Sequence, residues 1–388
     1  MKIFSIILKS LKEQVRSYWV LLLTLSLGPF FILVYFLILE SSEPHYSVLV
    51  LNKDQGITVN NRNVNHGKKL SSFLNDLPGK STDIPFSLKE IADSIAGIET
   101  LKNKKADALI IIDGSFSSGL EKRRANDSTS TAHVRFIGDL TNTGYLISAV
   151  WANEILNEYA LYVTRSSRVI DVKESALGSS GSASSFDLIV PGILILSLIM
   201  LMFTASIAFV SEVENRTIIR LKLSKLTAFG FLSGISTVQL IVGIASVLLT
   251  LLTAIVLGFR YEGSFLIMLF IASLTSISII AFSLIIASIT KSASEVLVVG
   301  NFPMFLFMFF TGAAFPLNSK EWFSIGGYPV NLQGLMTPTH AISALNKTLL
   351  MKMDLLSIIP EITSTLILTI VYFLIGGLIF KRRHLKLV

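Results

Sequence analysis

The segment Asn75-Asp76-Leu77-Pro78-Gly79-Lys80-Ser81 ends as phosphate-binding loops end, with a glycine that lets backbone amides cradle phosphate and a lysine that neutralises it. Leu74 stands where the first glycine of such a loop belongs, so the segment reads as a surface turn. Leu232-Ser233-Gly234 opens like an ATPase signature but runs on as Ile235-Ser236 inside an apolar stretch. His45, His66, His133, His340 and His384 lack the paired spacing that holds catalytic zinc, and no Gly-x-Ser-x-Gly elbow presents a serine nucleophile. With no cysteine, the chain offers no disulfide framework, thiol nucleophile or iron–sulfur cluster. These patterns point to no catalytic residue and no metal site. The segment that stands out is Glu212-Val213-Glu214-Asn215-Arg216-Thr217, followed by Leu221 and Leu223 and by Arg220, Lys222 and Lys225. Acidic residues at a helix start and basic ones at its end complement the macrodipole, so a short amphipathic helix suited to docking a partner is expected. The plainer alternative is a charged loop that marks one membrane surface.

The elements that must position this segment follow from composition. Of 388 residues, 52% are hydrophobic and 15% charged, against about 25% charged in a soluble domain. The chain is therefore expected to be an integral membrane protein. A bilayer core takes about 20 apolar residues as a helix, and six runs qualify: Tyr18–Leu39, Leu188–Val210, Ala228–Leu257, Phe265–Ile289, Val296–Phe315 and Leu355–Phe380. The first lacks a cleavage site and reads as an uncleaved anchor. Thirteen basic residues fall in 1–17, 211–227, 290–295 and 381–388, which predicts these segments, and both termini, to be cytoplasmic. A net charge of +7 is then explained by membrane topology, with no nucleic-acid partner.

Residues 41–186 are expected to form an extracytoplasmic α+β domain. Tyr46–Asn52, Asp107–Asp113 and His133–Gly138 read as buried strands, and Leu146, Ala149, Val150, Leu156, Ala160 and Val163 as one helical face. The Gly/Ser/Ala run 178–185 reads as a flexible tether. Before the first span, Ile3, Phe4, Ile7, Leu8, Leu11 and Val15 share a helical face, as in an interfacial helix on anionic lipid; the alternative is a first span that begins early. The fold class expected is an α-helical polytopic membrane protein of six transmembrane helices, with an external segment 316–354 that resembles a re-entrant one and a basic tail 381–388.

The acidic loop resembles that of the permease subunits of the ABC-2 superfamily of ABC exporters, Glu-x-Glu-x-Gly-Thr followed by leucines: Glu212, Glu214, Thr217 and Leu221 match, and the glycine is absent. Gly312-Ala313-Ala314-Phe315-Pro316-Leu317 and Thr337-Pro338-Thr339-His340-Ala341 are similar to two further family segments, with Thr337 where the family has asparagine. One span, a large external domain and five more spans are similar to the half-permeases of bacterial drug, antibiotic and bacteriocin-resistance exporters. Asn52-Lys53-Asp54 and Ala106-Asp107-Ala108 match motifs of that group's domain.

The resemblance implies that Glu212, Glu214, Thr217, Arg220 and Leu221 couple the chain to an ABC ATPase, present in two copies. It implies that the second and fifth spans line the path, through Pro191, Gly192, Phe302, Phe305 and Phe309, and that Gly312, Phe315, Pro316 and Pro338 belong to an external gate. It implies no cofactor in this chain, with ATP and Mg bound by the partner ATPase, and a second permease, identical or homologous. The apolar Phe/Met wall suits lipophilic, amphipathic or peptide cargo moved outward. The alternatives are a non-transporting receptor or scaffold whose domain binds a peptide or cell-wall ligand, and a channel or ion-coupled carrier, for which Glu361 is the only charge within a span.

Overall fold

The computed structural model describes residues 2–40, 46–59, 61–75, 86–103, 105–125, 127, 129–140, 142–166, 184–215, 217, 227–261, 263–314, 322–325 and 328–385. They divide into two units, Met1–Glu40 with Ser175–Val388, and Ser41–Glu174.

Among the described residues of the first unit, six helices are long and apolar enough to cross a membrane. A helix Lys2–Arg16 leads into the first span, Tyr18–Glu40. The second span is a rod of two helices, Ser185–Ile199 and Leu201–Glu214, meeting at Met200. The third, fourth, fifth and sixth are Ala228–Val256, Phe265–Ile289, Ala293–Phe310 and Ile359–Phe380. Local sequence explains the starts. Ser184 and Asp187 form a capping box at the second span, and the Thr227 and Ser292 hydroxyls cap the third and fifth. The expected tether thus ends earlier, since Ser184 and Ser185 belong to a helix start; 178–183 lie outside the described residues. The fifth span also stops at Phe310, short of the expected Phe315, because Gly312 adopts φ 86 and turns the chain.

Apolar burial cannot drive helices together within lipid, so small and hydroxyl side chains bring the backbones close. The Ser206 hydroxyl donates to the Ser283 carbonyl at 3.1 Å, joining second and fourth spans, and the Ser246 hydroxyl to the Thr24 carbonyl at 3.1 Å, joining third and first. The second span is buried nearly all round, whereas the outward faces of the first, fifth and sixth are exposed. Between the fifth and sixth spans lie a hairpin, Phe323–Ile325 with Tyr328–Val330, a helix Thr337–Leu345 and a π-helical turn Asn346–Leu350.

The second unit is a small α+β domain. Its sheet has the order β4-β1-β5-β6, from Phe86–Glu90, Tyr46–Asn52, Ala108–Ile112 and Val134–Ile137, with β1 parallel to β4 and β5 and β6 antiparallel. Val48 pairs with both Leu88 and Ala108. Helices cover both faces, which is why β1 and β5 read as continuous apolar runs. Val48, Val50, Ile110 and Ile112 pack toward helices His66–Asn75, Phe116–Arg124 and Thr143–Thr164. Leu49, Leu51, Leu109 and Ile111 pack toward Ile98 and Leu101 of helix Ser94–Lys102. β4 and a hairpin of β2 (Ile57–Val59) and β3 (Arg62–Val64) escape the apolar-run pattern because they are short and largely solvated.

The expected face of helix Thr143–Thr164 is met in part. Val163 is buried and Ala149, Leu156 and Ala160 pack against the core, but Leu146 and Val150 are exposed, and Tyr145, Ser148, Ala152, Ile155 and Tyr159 complete the inward side. Two tyrosines and a serine hold the inward positions, so counting aliphatic residues picks the neighbouring stripe. Asp54 ties the domain together: its carboxylate accepts from the Ser117 hydroxyl at 2.5 Å and from the amides of Gly67, Ser117 and Gly56. Burial pushes its pKa up, but these hydrogen bonds outweigh burial and hold it below the usual carboxylate value.

Candidate functional site

Glu212 lies in the last turn of the second span and Glu214 is its final residue. The acidic pair therefore closes one helix rather than opening another, at the end where the dipole disfavours negative charge. Each carboxylate is compensated. The Lys9 ammonium donates to both oxygens of Glu212, at 2.6 and 2.9 Å, and the Thr217 hydroxyl contacts the same carboxylate and the Glu212 carbonyl. Glu214 accepts from the Ala293 amide at 3.1 Å, at the start of the fifth span. Of the two, Glu212 is buried and Glu214 is exposed. Arg220 and Leu221 lie outside the described residues.

The N-terminal helix meets the bundle through its polar side. Ile6, Ser10 and Gln14 are buried, and the Gln239 amide donates to the Gln14 side chain at 2.9 Å. Phe4, Leu8, Leu11 and Val15 stay exposed, so the apolar stripe seen in the sequence is the face this chain leaves uncovered.

About 30 Å along the second span from Glu212, at 1.5 Å per residue, Pro191 and Gly192 are buried. A Cβ on Gly192 would lie 2.6 Å from the Ala313 carbonyl oxygen, so glycine here permits close packing against the turn after the fifth span. Phe302, Phe305 and Phe309 are exposed on the fifth span, and the last two rings stack at 6.0 Å. Phe307 instead turns inward onto Phe282 at 4.8 Å. Within one chain the two sets of expected path residues are thus apart: one is packed inside, the other uncovered.

Gly312 sits in the turn that Gly192 abuts, and the Tyr35 hydroxyl of the first span donates to the Ala314 carbonyl at 3.1 Å. Pro338 starts helix Thr337–Leu345 and is buried; Phe315 and Pro316 lie outside the described residues. A cavity of about 570 Å³ opens between this turn, the start of the second span and that helix. Glu361 is no isolated charge. Its Oε1 accepts from the Lys347 ammonium at 2.6 Å and from the Ser343 hydroxyl at 2.9 Å.

Comparison with protein families gives a match to the ABC-2 family transporter protein over residues 17–378, which takes in the first five spans, the domain between the first two and all but the last two residues of the sixth span. The chain belongs to the ABC-2 transporter family. A search of curated proteins finds no match. An ABC-2 permease is the membrane-embedded component of an ABC transporter and works with a separate ABC ATPase, so the chain is a multi-pass membrane protein with that partner. The residues of this ABC-2 permease that sequence patterns did not single out are Lys9, Gln14, Gln239 and Lys347. Lys9 and Glu212 are separated by 203 positions, beyond any local pattern. Lys347 and Glu361 are 14 apart, and a lysine in a polar stretch before an apolar run was the available signal.

Proposed function

We propose that this ABC-2 permease moves a lipophilic or amphipathic compound, such as a drug, antibiotic, peptide or lipid-like molecule, outward across a bacterial cytoplasmic membrane. ATP and Mg are bound by two copies of the partner ATPase and not by this chain. The reading rests above all on the family match that runs from the first span into the sixth. Orientation is taken from the thirteen basic residues: both termini and 211–227 cytoplasmic, 41–186 outside. A second permease, identical or homologous, faces the uncovered Phe302, Phe305 and Phe309 surface, and cargo passes between the two. The end of the second span, around Glu214 and Thr217, meets the ATPase, and the turn at Gly312 together with Pro338 forms the outer gate.

Inside-out vesicles holding the permease and its ATPase should accumulate an amphipathic fluorescent dye only with ATP and only when both proteins are present. A cysteine at Asp127 should react with an impermeant maleimide on intact cells. An intact complex that hydrolyses ATP yet moves no cargo, or labelling at 127 only after the cytoplasm is opened, refutes the reading.

A further inference from the structure

The cavity of about 570 Å³ beside the Gly312 turn has a mixed lining. Leu188, Ile189, Ile342 and Met351 supply apolar surface; Thr339, Ser343, Asn346 and Lys347 supply polar groups. Among the described residues, Lys347 is the only charged side chain in the lining. Its counterion stands behind it: the Glu361 side chain is 2% exposed and does not line the cavity, whereas the Lys347 side chain is 30% exposed. The ammonium gives one N–H to Glu361 and a longer contact, 3.4 Å, to the Ser357 carbonyl, which leaves donor capacity on the cavity side. Asn346 lines the cavity beside Lys347, and its side-chain amide oxygen is buried with no hydrogen-bond partner among the described residues; as an acceptor, that oxygen suits a water or hydroxyl and does not hold the anion. Both residues begin the π-helical turn Asn346–Leu350, a distortion common at functional sites.

We propose that this cavity binds a single-chain amphiphile with an anionic head, carboxylate or phosphate. The head lies on Lys347 and the chain against Leu188, Ile189 and Met351. Ion-pair geometry explains the sign: a cation whose counterion is sequestered on its far side presents positive potential to the cavity and repels a cationic head. It also explains why the pair is tolerated, since Glu361, which accepts from the Ser343 hydroxyl as well, holds the lysine in place without neutralising its open side. The proposal deepens the amphipathic-cargo reading by naming the head charge.

The test uses full-length permease without ATPase in phosphatidylcholine nanodiscs, with radiolabelled dodecanoate as probe, so that failure to bind and failure to export are separate outcomes. Dodecanoate should bind one per chain, and tenfold excess dodecyltrimethylammonium should not displace it. Lys347→Met should weaken binding at least tenfold, Lys347→Arg should retain it, and Glu361→Gln, which frees the ammonium, should tighten it severalfold. The last effect separates a binding role from that of a structural clip, whose loss would only loosen the site. Ile342→Trp, which fills the cavity from the apolar side, should abolish binding in a protein of unchanged elution volume. Equal binding of dodecyltrimethylammonium, or unchanged affinity in Lys347→Met, overturns the proposal. Displacement by diacyl phosphatidylglycerol overturns the single-chain assignment, because the anionic head would then be that of a bilayer lipid.

Discussion

Removing either partner of the Lys9–Glu212 pair should have unequal consequences. The Glu212 side chain is 7% exposed and that of Lys9 37%, so Lys9→Met strands a carboxylate inside the protein with the Thr217 hydroxyl as its remaining donor. Stranding one member of a buried pair costs about 3–5 kcal/mol, and partial solvation on the lysine side lowers this to about 2–3 kcal/mol. Glu212→Gln is milder. Glutamine keeps the shape and an oxygen for Thr217, and Lys9 already lies 3.5 Å from Glu13, so the cost is about 1 kcal/mol or less. Hydrogen exchange of residues 2–16 reads the difference: at 1.4 kcal/mol per tenfold, Lys9→Met should speed exchange roughly 30- to 150-fold and Glu212→Gln about fivefold at most. The double variant Lys9→Met/Glu212→Gln should recover much of the loss, because no buried charge is left unpaired. Equal effects of the two single changes, or unaltered exchange in Lys9→Met, would refute the argument that Lys9 neutralises Glu212.

Adjacent glycines of the sixth span should differ: a Cβ at Gly376 meets the Ile285 amide at 2.9 Å, so Gly376→Ala should lower thermal stability in detergent by about 1–3 kcal/mol. Gly377 has nothing within 4 Å, and Gly377→Ala should be neutral or up to about 1 kcal/mol stabilising. Asp54 gives the domain an acid limit: its folded pKa is lowered, so its contribution is present above the unfolded value of about 4 and is lost as pH falls through the folded one. Asp54→Asn should therefore speed exchange in β1 and in helix Phe116–Arg124 by the loss of about 2–3 kcal/mol at pH 7, with the gap from wild type closing as pH falls through the lowered folded pKa.

Apolar runs longer than the bilayer is thick revealed the spans because lipid forces the backbone to satisfy itself in helices, and Phe265–Ile289 falls where the run predicts it. The central strands were legible because both of their faces are buried. Elsewhere the pattern misled for identifiable reasons. Gln14, Ser10 and Tyr159 occupy inward positions that a count of aliphatic side chains assigns to water. Glu212 and Glu214 match a helix start by composition, yet the second span continues through them because Lys9 and the Ala293 amide, both distant in sequence, neutralise the unfavourable end. The residues expected to line a path were named by type, but which of them are packed and which uncovered depends on helix order in space.

The unequal enclosure of the second and fifth spans bears on how such a protein can change over generations. Every turn of the second span touches neighbours: Gly192 has no room for a methyl group, and Ile193, Leu194 and Leu198 are fully buried. Most replacements there create a void or a clash costing about 1–5 kcal/mol, so few survive. Phe302, Phe305 and Phe309 are exposed on the fifth span, and swaps among large apolar residues there disturb the packing of this chain less. Inherited variation should therefore accumulate on the exposed face of the fifth span while the second stays nearly constant, so that the surface can acquire new chemical preferences without rebuilding the enclosed rod beside it.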